Sequence, residues 1–140
     1  MNVYRTVKGL KKSKYGSRKV KSKGFVFDSR KEARRYNELL LLERAGAIQD
    51  LQRQVPFELI AAQYEEIPTG EVYKRGELKG KPKFKRVCIE KSVVYNADFV
   101  YYENGKKVVE DTKSEATKTK DYVIKRKLML YIHGIKIREV

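Results

Sequence analysis

The sequence predicts an α/β fold in the order αβββαβ, with a mixed central sheet and helices packed on it. Three observations predict it. A helical apolar stripe runs from Ser29 to Gly46, and an Asn104-Gly105 turn joins two runs of β-branched and aromatic residues. A second helical stripe ends at Gly134 and leads into the alternating run Ile135-Lys-Ile137-Arg-Glu-Val140. A helix between a hairpin and a last strand is the crossover that parallel pairing requires, so the sheet is expected to be mixed.

The elements follow in order. Residues 1–23 contain nine Lys or Arg and no acid, with few apolar residues. They read as a basic arm that orders on a polyanion, with Lys11, Lys12, Lys14, Arg18 and Lys19 as its candidate DNA contacts; a solubilising tail is the alternative. Residues 24–140 form the single folded domain. Its first helix spans residues 29–45. Ser29 is placed to cap it, and Glu32 completes a capping box. Ala33, Tyr36, Leu39, Leu40 and the stem of Glu43 give the apolar stripe, and Gly46 ends it. Residues 48–51 lead to a strand over residues 55–62, where Pro56 implies an edge or a bulge. Residues 63–85 are polar, with Pro68, Gly70, Gly76, Gly80 and Pro82. They read as a surface loop or excursion, with room for a short hairpin. A strand resumes near residue 86 and continues to residue 102. The Asn-Gly turn follows, because a type I′ turn needs φ > 0 at both central positions. The return strand covers residues 107–113 and a polar connection residues 114–120. The second helix, residues 121–133, offers Val123, Ile124, Leu128, Tyr131 and Ile132 to the core, and the last strand covers residues 135–140.

Composition limits the function. With 140 residues the chain is long enough for one domain with a real core. A net charge of +15 points to a polyanionic partner, nucleic acid first and an anionic membrane surface second. No apolar run approaches the length of a membrane span, and the basic N-terminus lacks the apolar region of a signal peptide. Cys88 is the only cysteine and His133 the only histidine. A disulfide framework, a zinc finger and a His-centred nuclease motif are excluded, as is a Cys-His or Ser-His-Asp nucleophile unless His133 supplies everything. His133 precedes Gly134 and reads as a residue of the helix end. Any metal needs oxygen ligands, which suits Mg²⁺, with Mn²⁺ as a substitute. A reducing cytoplasmic setting is expected.

The hairpin carries the chemistry. With Asn104-Gly105 as the loop, Glu103 pairs with Lys106 and Val100 with Val109. Asp98 then faces Asp111 and Asn96 faces Lys113. Alternation puts Asp98, Asp111 and Lys113 on one side. Opposed Cβ atoms lie about 4.5–5.5 Å apart, where like charges repel. A cation between the carboxylates removes that repulsion, so the pair reads as a metal site with Lys113 beside it; two acids splayed into water are the alternative. Glu110 alternates to the other face and reads as structural unless the register slips by one. Tyr122 and Lys125, one helical turn apart, are placed to contact a phosphate, or equally to be a half-buried Tyr and a surface Lys.

The segments Phe27-Asp-Ser-Arg-Lys-Glu32-Ala-Arg-Arg-Tyr36, Leu51-Gln-Arg-Gln54-Val-Pro-Phe57, Tyr95-Asn-Ala-Asp98-Phe-Val-Tyr, Val109-Glu-Asp111-Thr-Lys113 and Tyr122-Val-Ile-Lys125-Arg-Lys-Leu-Met, followed by Gly134-Ile, together resemble the PD-(D/E)xK nucleases. The likeness covers about residues 25–140 and extends to small phage proteins related to archaeal-type Holliday-junction resolvases. It implies a restriction-endonuclease-like αβββαβ core. Asp98 matches the metal-binding aspartate, although Ala97 stands where the motif's name has proline. Asp111 matches the (D/E) position, Lys113 the lysine, and Glu32 the acid that many members carry on the first helix, which makes Glu32 a catalytic candidate and a third metal ligand beside Asp98 and Asp111. Gln54 resembles a glutamine near the site; a solvated strand residue is its other reading, as the helix cap is for Glu32. The resemblance implies a Mg²⁺-dependent endonuclease cutting four-way or other branched DNA, phage-encoded and acting in a bacterial cytoplasm. Symmetric cutting of a junction implies a homodimer. The alternatives are a restriction, repair or nicking nuclease of the same family on duplex or flapped DNA, and a noncatalytic basic nucleic-acid-binding module.

Overall fold

The structure, a computed structural model, describes residues 18–140 and the backbone of Arg5–Thr6. Lys11, Lys12 and Lys14 therefore lie outside the described residues. The chain forms two compact units, one of residues 1–57 with 95–140 and one of residues 58–94.

The larger unit begins before the expected boundary. Strands β1 (Arg5–Thr6), β2 (Val20–Ser22) and β3 (Phe25–Phe27) make a small antiparallel sheet. Val20 and Ser22 are buried, so residues 20–23 belong to the fold and not to the arm. Val20 and Phe27 close on Ala33 of helix α1 (Arg30–Arg44). Ser29 caps that helix by accepting the Glu32 N–H at 3.1 Å. The Glu32 carboxylate does not return to Ser29. It accepts the N–H of Asp28 at 3.0 Å, one residue further back than a capping box would place it. At the other end Ala47 N–H donates to Leu42 O and Gly46 N–H to Glu43 O, with Gly46 at φ 76, a Schellman stop.

Strand β4 (Gln49–Ile60) is one continuous edge strand, longer than expected, and the edge position is what tolerates Pro56. Residues 63–85 belong to a hairpin, for which the excursion reading left room, and it is longer than expected. Strands β5 (Gln63–Val72) and β6 (Pro82–Glu90) pair as an antiparallel hairpin, the body of the smaller unit. The expected strand over residues 86–102 is divided at Lys91-Ser92, and its second half, β7 (Val93–Glu103), enters the central sheet. Strand β8 (Lys106–Asp111) returns antiparallel to β7, helix α2 (Lys120–His133) crosses over, and β9 (Arg138–Glu139) pairs parallel to β8. The central order β4-β7-β8-β9 is the mixed α/β sheet the sequence predicts. β9 is shorter than expected, but the pairing continues as Lys113 N–H donates to Val140 O.

The core beside α1 gathers Leu39, Ile48, Phe99 and Tyr101. Tyr36 stacks on Phe99 at 6.1 Å and lies 5.3 Å from Phe27, so one ring joins the small sheet to the large one. Helix α2 turns a different face inward from the one expected. Tyr122 and Met129 are buried, whereas Ile124, Tyr131 and Ile132 are exposed. Apolar residues surround this helix almost completely between residues 128 and 132, so periodicity cannot select a side. His133 is exposed at the helix end, its ring 5.8 Å from that of Phe57.

Candidate active site

The Asn-Gly turn sets the site. Asn104 and Gly105 both have positive φ, and the ladder runs as expected from Glu103↔Lys106 through Val100↔Val109 to Phe99↔Glu110. There it stops. One residue further along, the Asp98 carboxylate takes the place of a strand partner: its Oδ2 accepts the Thr112 N–H at 2.8 Å and the Thr112 hydroxyl at 2.7 Å. Its Oδ1 faces the Gln54 amide at 3.4 Å, and the same amide donates to Glu32 Oε1 at 3.1 Å. Gln54 reaches between α1 and β7 from a left-handed backbone position on β4, at φ 49.

Asp111 is buried at the end of β8. Its Oδ2 accepts the Tyr95 hydroxyl at 2.6 Å. Its Oδ1 forms an ion pair with the Lys113 ammonium at 3.1 Å and has no other polar partner. The ammonium also lies 4.8 Å from the centre of the Tyr122 ring. Asp111, Lys113, Tyr95, Tyr122 and Lys125 line an open groove of about 270 Å³.

Charge is crowded here. Burial and the neighbouring Asp98 carboxylate push Glu32 up to about 7, partly offset by the Asp28 N–H. Burial and Asp98 likewise push Asp111 up to about 7, against the opposing pull of Tyr95 and Lys113. Burial and the Asp111 carboxylate push the Tyr95 phenol up, which keeps it a neutral donor.

The sequence-predicted set thus divides. Glu32, Gln54, Asp98, Asp111 and Lys113 come together. Lys125 borders the groove. Tyr122 is buried with its hydroxyl on Glu139 at 3.0 Å, so its ring and not its hydroxyl faces the site. Arg18 is exposed, and Lys19 pairs with Asp28 at 3.4 Å. Two participants were not foreseen. Strict alternation sends Tyr95 to the face opposite Asp98, and Thr112 lay hidden as the spacer between Asp111 and Lys113; its hydroxyl beside a carboxylate motif was the available signal.

Among the described residues no three His, Cys, Asp or Glu side chains converge as a group that could hold a metal ion. The Gln54 amide intervenes between Glu32 and Asp98. The donor set nevertheless fits a hard cation that keeps most of its waters and needs only one or two carboxylates. Asp98 and Asp111 supply these, and Oδ1 of Asp111, held only by the Lys113 ammonium, is the atom with room for a further cation contact.

The two raised carboxyls predict the metal-free protein's response to pH. Their folded values exceed the unfolded ones, so the folded state holds extra protons between roughly pH 4 and pH 7. That contribution is fully present below the unfolded values and is lost as pH rises through about 7. Without metal, the melting temperature should fall between pH 5 and pH 7.5. Millimolar Mg²⁺ should restore it at pH 7.5 and do little at pH 5, where protons compete for the ligands. Calorimetry with and without chelator checks this; a Tm that ignores Mg²⁺ at pH 7.5 rules out a two-carboxylate site.

The family model described as "Protein of unknown function (DUF1064)" matches residues 12–138. No curated protein and no solved structure matches the chain.

Proposed function

The chain belongs to the DUF1064 family, and for it we propose a divalent-metal-dependent endonuclease that hydrolyses phosphodiesters in branched DNA, four-way junctions above all. The observation that carries this is the buried Asp111, crowded by the Asp98 carboxylate and held on one oxygen only by the Lys113 ammonium. A binding module explains a charge of +15 but has no use for carboxylates crowded and buried at such cost. Branched DNA, the phage origin and a bacterial cytoplasmic setting come from the resemblance to junction resolvases. Among the described residues no helix is long and apolar enough to cross a membrane.

Asp98 and Asp111 would hold the ion, Mg²⁺ or Mn²⁺. When bound it neutralises charge on the phosphoryl oxygens and lowers the pKa of a water. The rest falls to the protein. Tyr95 fixes Asp111 by one oxygen and leaves the other turned toward Lys113. Thr112 fixes Asp98 by two hydrogen bonds. Lys113, steered by the Tyr122 ring, presents a compact charge to a phosphate or to the attacking water. Gln54 ties Glu32 to this pair. Symmetric cutting of a junction requires two such sites, hence a C₂ homodimer.

The test is incubation with labelled duplex, flap and four-way junction, with and without Mg²⁺. Metal-dependent cutting confined to the junction supports the full proposal; cutting of duplex or flap makes the chain another nuclease of this type; binding without cutting in Mg²⁺ or Mn²⁺ refutes catalysis.

Glu32 can be assigned by one substitution. Its backbone N–H makes the cap bond whatever the side chain, and Gln keeps an oxygen for the Asp28 N–H while its NH2 group requires the Gln54 amide to turn and accept. Glu32→Gln should therefore change Tm little while cleavage falls about a hundredfold. Full activity in Glu32→Gln, with only Glu32→Ala losing stability, would reduce Glu32 to its local hydrogen bonds.

A further inference from the structure

The hairpin unit has a charge and apolar pattern for which the candidate active site has no use. In its ladder Tyr64 lies opposite Cys88, Glu66 opposite Arg86 and Pro68 opposite Phe84. Opposed residues share a face, so Tyr64, Glu66, Pro68, Phe84, Arg86 and Cys88 lie on one side. Beyond an irregularity between Pro68 and Val72 the strands close on a built tip. Tyr73 N–H donates to Lys81 O at 3.0 Å, and Gly80 N–H to Tyr73 O at 2.8 Å.

Cations outnumber acids toward the tip of this hairpin. Residues 73–86 hold seven Lys or Arg against the single acid Glu77; on the facing strand Glu71 lies 3.9 Å from Lys83 and Glu66 opposes Arg86. Apolar rings are interleaved with the cations. The Arg86 guanidinium covers the Tyr64 ring at 3.9 Å, and the Lys83 ammonium lies 5.5 Å from the Tyr73 ring. Phe84 is different: it is 55% exposed, carries no such cation among the described residues, and has Pro68 as its cross-strand neighbour. The result is a small apolar platform beside a guanidinium, on a basic ribbon. A nucleobase offers a flat face with a phosphate attached, and base–aromatic stacking tolerates any sequence. A base is free to stack this way only where it is unpaired.

We propose that the distal half of the β5–β6 hairpin is a second nucleic-acid contact, in which the Phe84–Pro68 platform stacks an unpaired base and Arg86 holds its phosphate. The remaining cations of the tip add affinity that does not depend on DNA structure. This rests on the chain acting on DNA and adds to that proposal a contact for unpaired bases, which gapped or flapped DNA offers.

The test uses the full chain, in chelator to prevent cutting, and fluorescence anisotropy on two labelled DNAs: an intact duplex and the same duplex with a short single-stranded gap. Phe84→Ala should weaken gapped-DNA binding about tenfold and change duplex binding less than about twofold, and Phe84→Trp should restore the gapped-DNA affinity. Equal affinity of Phe84→Ala and wild type for gapped DNA overturns the inference, as does an equal loss on both DNAs. Wild type that binds while Phe84 is indifferent sinks the hairpin contact alone. Wild type that binds neither DNA sinks the hairpin contact, and failure to bind a labelled four-way junction as well sinks the endonuclease proposal with it.

Discussion

Asp111→Asn is expected to lower cleavage on the order of a thousandfold, while the metal-free protein melts at the same temperature or higher. Both effects come from one oxygen set. Asn keeps an acceptor for the Tyr95 hydroxyl at the position of Oδ2, so the packing at the end of β8 survives. It removes the negative charge that burial and Asp98 resist, which relieves the folded state. It also removes a metal ligand, and a bound ion contributes several kcal/mol of transition-state stabilisation, about a thousandfold in rate. Asp98→Asn and Lys113→Ala should fail in cleavage for related reasons while DNA binding persists. Loss of a carboxylate weakens repulsion of phosphate, so affinity in chelator should hold or improve. Single-turnover cleavage with parallel anisotropy and calorimetry checks this; normal cutting by Asp111→Asn in Mg²⁺ would overturn the site assignment.

Arg35→Met should be the most damaging substitution to the fold. Glu110, adjacent to Asp111 but on the other face, is completely buried. Arg35 Nε reaches its Oε1 at 2.6 Å and a second nitrogen its Oε2 at 3.0 Å, a forked pair across α1 and β8. The Tyr101 hydroxyl donates to Oε2 at 2.6 Å and itself accepts from Arg138 at 3.1 Å. Removing one partner of a buried pair leaves an uncompensated charge and typically costs about 3–5 kcal/mol, on the order of 10 °C in Tm for a chain of this size. The double substitution Arg35→Met with Glu110→Leu should recover much of that loss, because an apolar pair replaces a buried ionic one at little cost. Thermal unfolding of the two single variants and the double closes the cycle. Glu110→Gln, in turn, should keep its cleavage activity; its inactivity would exchange the roles of the two neighbouring acids.

The parts of the fold that were legible in sequence are those fixed locally. Ser29 and Gly46 bound α1 because capping and a left-handed stop are decided within a few residues. Asn104-Gly105 fixed the hairpin register, and the register brought Asp98 near Asp111. What the sequence concealed depends on distant partners. β5 and β6 look like a loop because neither buries a full face, so alternation of polar and apolar residues is weak. Val20 looks like part of a tail because its burial depends on Phe27 and Ala33. The inward face of α2 is chosen by its surroundings and not by its own pattern. Tyr95 was missed because its hydroxyl reaches Asp111 against simple alternation. Gln54 was a candidate from resemblance alone; the left-handed turn that aims it cannot be read from Arg53-Gln54-Val55.

The hairpin enters the chain between β4 and β7, strands that are neighbours in the central sheet. An insertion there can change length at small entropic cost, because loop closure grows only slowly with length. It also leaves the β7–β8 register, and so the spacing of Asp98 and Asp111, untouched. Descendants of this chain are thus free to lengthen, recharge or discard the hairpin while Asp98 and Asp111 stay constant. Divergence among relatives should therefore concentrate in residues 58–94, where change leaves the central sheet intact.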